Sequence, residues 1–147
     1  MRISEWMSPH PITVGPGTPV SEARELMRRK RIRHLLVMTG ERLVGIITDR
    51  DIRLVLPSPA TSLSVWEIHY LVAKMTVEQV MTRAVITIAP DRPVAEAVRV
   101  MLERKIGALP VAEGWRVVGI ITETDLLRAF AQVLGEPAES VPVSAHT

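Results

Sequence analysis

The seven residues Gly45-Ile46-Ile47-Thr48-Asp49-Arg50-Asp51 return as Gly119-Ile120-Ile121-Thr122-Glu123-Thr124-Asp125, 74 positions further along the chain. Working outward from this match, a shift of 74 superposes Ile3–Leu56 on Val77–Phe130 without a gap, with 20 of the 54 pairs identical. Met7 falls on Met81, Pro19-Val20 on Pro93-Val94, Glu22-Ala23 on Glu96-Ala97 and Met27 on Met101. Identity sustained over that length marks a duplication, and an internal repeat takes precedence over local pattern in assigning a fold.

Each copy has the same periodicity. A short extended piece at Ile12–Val14 runs into Gly15-Pro16-Gly17, which favours a turn. Val20, Ala23, Leu26 and Met27 recur at helical spacing, with Glu22 and Glu25 near the start, and predict an amphipathic helix of about three turns. Leu35–Met38 and Leu43–Thr48 are β-rich runs split by Thr39-Gly40-Glu41-Arg42, the pattern of a hairpin. A second helix begins at Thr48 and runs to about Leu56, where Pro57 and Pro59 stop it. The order β-α-β-β-α recurs at Ile86–Ile88, Val94–Arg104, Leu109–Ala112, Val117–Thr122 and Glu123–Leu134. Residues 1–60 and 77–134 are thus the two repeats. Between them, 61–76 form a connector in which Val65–Val72 reads as a helix, and 135–147 read as a poorly ordered tail. A unit of this size buries too little apolar surface to stand alone. The expected fold is α+β, α/β in some schemes, with the two repeats packed by pseudo-two-fold symmetry.

Composition narrows the function classes. The chain has 147 residues, 47% of them hydrophobic, a formal net charge of only +2 and no cysteine. A packed core is affordable, while disulfides, thiolate catalysis and Cys-ligated zinc are excluded. No signal-peptide pattern opens the chain and no apolar run approaches a bilayer span, so a cytoplasmic protein without membrane contact is expected. Opposite charges are interleaved, which disfavours a nucleic-acid stripe. The densest basic run, Arg28-Arg29-Lys30-Arg31 with Arg33, reads as a solvated helix end. His10, His34, His69 and His146 lack metal-ligand spacing. There is no nucleophile elbow, no Walker loop and no dinucleotide fingerprint, so no enzyme is expected.

A duplicated β-α-β-β-α unit whose last strand reads Gly-hydrophobic-hydrophobic-Thr-x-x-Asp resembles the CBS domain, named for cystathionine β-synthase, and the tandem pair resembles a Bateman module. Leu109-Pro110-Val111 also follows the family pattern, from which Leu35-Leu36-Val37 departs. The resemblance implies that an adenosine ligand lies in clefts between the copies: AMP, ADP or ATP, with NAD or S-adenosylmethionine as alternatives, and no required cofactor. On this sequence Asp51 and Asp125 would accept hydrogen bonds from ribose hydroxyls, while Thr48 and Thr122 would meet ribose or phosphate. Thr122, Thr124 and Asp125 would be joined by Thr18, Ile32, Arg33 and His34 of the other copy. Thr48, Arg50 and Asp51 would be joined by Arg92, Ile106, Gly107 and Ala108. A carboxylate suits a vicinal diol because it accepts several bonds, and Arg33 and Arg50 suit phosphate through paired donors.

A plainer reading competes. Thr-x-x-Asp at a helix start is also a capping box, in which Thr fills the N-cap and the acid bonds back to its amide. Gly45 and Gly119 fit either close approach of a ligand or packing against a helix. Met27, Met75, Met81 and Met101 read as core or interface filler. The resemblance further implies a homodimer formed through exposed helix faces, for which Leu54, Val55, Ala129, Phe130 and Val133 are candidates, and a separate effector protein as recipient of the signal. The alternative is a ligand-independent dimerisation or interaction scaffold in which the motifs only cap helices.

Overall fold

The computed structural model describes residues 1–56 and 64–135. The end of the first repeat at 57–60 with Pro57 and Pro59, the connector start at 61–63 and the tail beyond Gly135 lie outside the described residues. The elements are α1 (Ile3–Trp6), β1 (Ser8–Pro9), β2 (Thr13–Val14), α2 (Val20–Lys30), β3 (His34–Thr39), β4 (Arg42–Thr48) and α3 (Asp49–Val55). They continue as α4 (Val65–Lys74), α5 (Val77–Val80), α6 (Val94–Arg104), β5 (Ala108–Glu113), β6 (Arg116–Thr122) and α7 (Glu123–Val133). The fold is α+β, with two three-stranded sheets in the orders β2-β3-β4 and β1-β6-β5.

The regular elements follow the periodicities of the sequence to within a residue or two. Val20, Ala23 and Met27 are the buried residues of α2, and Val94, Ala97 and Met101 those of α6, so one stripe of each helix faces its core. Pro19 and Pro93 stand at the N-caps of these helices, where a proline sacrifices no intrahelical hydrogen bond. Both helices end on a residue in the left-handed region, Arg31 at φ 57° and Lys105 at φ 55°. The connector forms the helix α4, capped by Ser64 and packed on α2. The expected strand at Ile86–Ile88 is reduced to a single parallel bridge between Ile88 and Val111.

The compact units do not follow the repeat boundaries. Among the described residues, one comprises 1–10, 87–114 and 118–135; the other comprises 11–56 and 64–86 with 115–117. The lead-in of each copy has left its own repeat. In the first unit, α1 packs on α6 and α7, and β1 pairs antiparallel with β6 in the register Ser8 to Ile120. In the second unit, α5 packs on α2, α3 and β4, and Thr82 bridges Ile46 with reciprocal backbone hydrogen bonds of 3.0 and 2.9 Å. Ile3 and Val77 are the apolar anchors of these lead-ins, and both are fully buried. The core of the second unit gathers Val20, Ala23, Met27, Leu35, Val37, Ile47 and Ile52 around Val77 and Met81. Met75 packs at its edge and Met101 is buried on α6, so these methionines fill core space as expected.

The motif glycines are explained by the same exchange. A Cβ on Gly45 would lie 2.6 Å from Met81 Sδ and 2.9 Å from the Thr82 carbonyl oxygen, and one on Gly119 would lie 2.6 Å from Met7 Sδ and 2.9 Å from the Ser8 carbonyl oxygen. A lead-in strand occupies the space a side chain would need. The structure shows close packing at these glycines, but against the extended lead-in rather than against the expected helix.

Candidate functional site

Each Thr-x-x-Asp motif sits where a central strand gives way to a helix. Thr48 ends β4 in an extended conformation and accepts the Asp51 amide on Oγ1 at 3.0 Å, while Asp51 Oδ2 accepts the Thr48 amide at 2.9 Å. The second motif repeats this: Asp125 Oδ2 accepts the Thr122 amide at 2.9 Å and Thr122 Oγ1 accepts the Asp125 amide at 3.4 Å. Both are complete capping boxes, formed within four residues of chain, so the motif has a structural role in both copies whatever else it does.

The start of the hairpin borders each motif. His34 is paired with Thr48 across β3 and β4, and the Arg33 carbonyl accepts the Asp49 amide at 2.9 Å. In the other unit the Gly107 carbonyl accepts the Glu123 amide at 3.0 Å, with buried Ala108 next in the strand. Thr18, Ile32, Arg33 and His34 thus share a unit with Thr48, Arg50 and Asp51, whereas Gly107 and Ala108 share one with Thr122, Thr124 and Asp125. Thr18 anchors its loop: Oγ1 accepts the Gly15 amide at 3.2 Å and its carbonyl accepts the Val77 amide at 2.8 Å. Arg50 and Thr124 point into exposed surroundings at the second position of their helices. Arg92, expected beside the first motif, is paired with Glu96, which raises its pKa.

The two carboxylates are not equivalent. Asp125 is only 3% exposed; its Oδ2 also accepts the Thr122 hydroxyl at 3.1 Å, and its Oδ1 accepts Arg128 Nη1 at 3.2 Å. Asp51 is half-buried, and among the described residues its Oδ1 accepts no hydrogen bond. Leu54 stands where the second copy has Arg128, so no cation reaches Asp51 from the next turn of α3. The neighbouring Arg53 is held by Asp49 at 3.1 Å. Sequence reading passed over Arg128, although the 74-residue register had set it against Leu54.

The basic run closes α2. Arg28 forms a two-pronged pair with Glu25, and its guanidinium holds the Glu25 carboxyl below the usual carboxylate range. A cleft of about 740 Å³ on the same unit is edged by Arg24, Arg28, Arg31 and Arg33 over an apolar floor that includes Met27 and Ile52, and it reaches Asp49 but neither Thr48 nor Asp51. Among the described residues no group of three or more His, Asp or Glu side chains is placed to hold a metal ion. No helix among them is long and apolar enough to cross a membrane. Of the residues expected on a dimer surface, Leu54, Val55, Phe130 and Val133 are exposed, but Ala129 is buried at 2% and belongs to the core of its own unit. A residue on the inner side of α7 cannot serve an outer face.

Two copies of a β-α-β-β-α unit, each ending in Gly-x-x-Thr-x-x-Asp, meet the model of the CBS domain at residues 3–58 and 77–132. The chain belongs to the CBS domain family. It is 32% identical over 137 residues to the uncharacterized protein MJ1225 of Methanocaldococcus jannaschii, covering 88% of this chain and 47% of that protein. It spans about half or less of the curated relatives that head the comparison, among them a tRNA nucleotidyltransferase of Geobacter sulfurreducens of which it covers 13%. Among solved structures, the CBS domain pair of protein MJ0100 in complex with 5′-methylthioadenosine and S-adenosyl-L-methionine matches with a TM-score of 0.75 and 31% identity, over 90% of this chain and 98% of that one. The structure of CBSX2 in complex with AMP matches with a TM-score of 0.72 and 28% identity, over 90% and 98%. CBS pairs similar to this one therefore bind adenosine ligands.

Proposed function

We propose that this CBS pair is a regulatory module that binds an adenine nucleotide of the AMP, ADP or ATP type at its Thr-x-x-Asp motifs and passes binding on as altered packing or partner affinity. The observation that carries this reading is the Asp51 carboxylate. Its cap uses Oδ2 and, among the described residues, leaves Oδ1 without a donor. A ribose presents two vicinal hydroxyls, and a carboxylate with one oxygen in reserve accepts them while the cap stays intact. Arg50 is exposed one residue earlier, and a guanidinium matches phosphate with paired donors. The AMP and S-adenosylmethionine complexes of similar pairs support the same ligand class, with NAD as a further member. In this reading the protein catalyses nothing, acts in the cytoplasm as a homodimer, and hands its signal to a separate effector protein.

The test is a thermal-shift panel of AMP, ADP, ATP, NAD and S-adenosylmethionine on the wild type and on Asp51→Ala and Asp125→Ala, each variant measured against its own ligand-free melting point. A ligand that binds only the folded state raises the melting temperature by mass action. A rise with one of these ligands that is lost in one variant is expected. The absence of any shift at saturating ligand would favour the interaction scaffold, in which the caps already seen are the whole purpose of the motif.

A further inference from the structure

The duplicated motif repeats its Thr and its Asp, but it does not repeat what the Asp has to offer. Asp125 accepts three side-chain-directed bonds, from the Thr122 amide and hydroxyl on Oδ2 and from Arg128 on Oδ1, and is buried to 3% exposure. Both oxygens are engaged and one of them faces a cation. At Asp51 the corresponding position three residues on is Leu54, 72% exposed and without charge, and Oδ1 accepts nothing among the described residues. The cation at one carboxylate and not at the other arises from one position in the repeat, Arg128 against Leu54.

We propose that Arg128 closes the Asp125 carboxylate to a ribose diol, so that Asp51 marks the working adenosine site and each chain binds a single nucleotide with appreciable affinity. This rests on the nucleotide-binding reading above and adds which copy is used. A neutral hydroxyl arriving at Asp125 would have to displace a guanidinium from a buried carboxylate. Charge-assisted bonds are roughly twice as strong as neutral ones, and separating the pair would leave the Asp125 charge buried with a weaker partner. The Arg128 side chain is 57% exposed, so it regains water on release, but Asp125, with its side chain 5% exposed, does not. At Asp51 the diol displaces no donor on Oδ1 among the described residues. Arg128 is in these terms a specificity-determining residue acting through Asp125.

Exchange of the two side chains tests the assignment, because both positions are exposed and neither contributes to a core. Full-length wild type, Leu54→Arg and Arg128→Leu are titrated with AMP by isothermal calorimetry, with circular dichroism to show that each is folded. We expect one equivalent of AMP per wild-type chain, a loss of about tenfold or more in Leu54→Arg as the new guanidinium takes Asp51 Oδ1, and a second equivalent in Arg128→Leu. Two similar equivalents in the wild type, unchanged binding in Leu54→Arg, or weaker binding in Arg128→Leu would each overturn the assignment, the last by showing Arg128 to hold the ligand. Failure of all three folded proteins to bind AMP or any other ligand of the panel would overturn the nucleotide reading and this one with it.

Discussion

Gly45 Cα faces the carbonyl oxygen of Thr82 so closely that a Cβ would come within 2.9 Å of it. The Thr82 carbonyl is itself fixed, accepting the Ile46 amide at 3.0 Å. The methionine that also crowds this point is flexible, but a hydrogen-bonded backbone oxygen is not. Gly45→Ala is therefore expected to cost about 1–3 kcal/mol by overpacking, and Gly119→Ala, against Ser8, the same. Urea unfolding monitored by circular dichroism measures both, and an unchanged midpoint would show that the lead-in strand yields.

Removal of the motif carboxylates should be unequal. Asp125→Ala leaves the Thr122 amide without its side-chain acceptor and strips Arg128 of its partner at a position 3% exposed. We expect about 2–3 kcal/mol there, against about 1 kcal/mol for Asp51→Ala, where chiefly the cap is lost. Ligand-free chemical denaturation reads the difference. Equal losses would mean that the Arg128 pair adds nothing.

The left-handed ends of α2 and α6 offer a gain in stability. Lys105 adopts φ 55° with its amide donating to the Met101 carbonyl, a conformation in which glycine alone has no Cβ penalty. Lys105→Gly should stabilise by about 0.5–1 kcal/mol, the relieved strain exceeding the added freedom of the unfolded chain. Arg31→Gly should do likewise. A raised melting temperature is the expected outcome; a fall would show that the Lys105 side chain stabilises the helix end.

The exchanged lead-in makes the N-terminus structural. Ile3 is fully buried in a unit whose elements beyond β1 all lie more than 80 residues away in the chain. Ile3→Ala should cost about 2–4 kcal/mol, and amide exchange should speed up in α6, α7 and β6, although all three belong to the second repeat. Faster exchange confined to α2 and α3 would contradict the observed unit.

What the sequence by itself determined is the part of the fold that is local in the chain. The Val20-Ala23-Met27 and Val94-Ala97-Met101 stripes and the two capping boxes each depend on residues a few positions apart, so spacing alone disclosed them, and the self-similarity at 74 residues showed that both copies share them. Thr48, Arg50, Asp51, Thr122, Thr124 and Asp125 came from the same motif, whereas Thr18, Ile32, Arg33, His34, Gly107 and Ala108 came from the family resemblance. Tertiary structure decided where the lead-ins go, because α1, β1 and α5 are too short to have a period and take their place from the strand edges they pair with and the pockets Ile3 and Val77 fill. That placement, invisible in the chain, is what forbids a side chain at Gly45 and Gly119. Tertiary structure also separated the two aspartates. Their identity is written in the repeat, but the burial that makes the Arg128 pair at Asp125 hard to break depends on packing around α7, which no local pattern encodes.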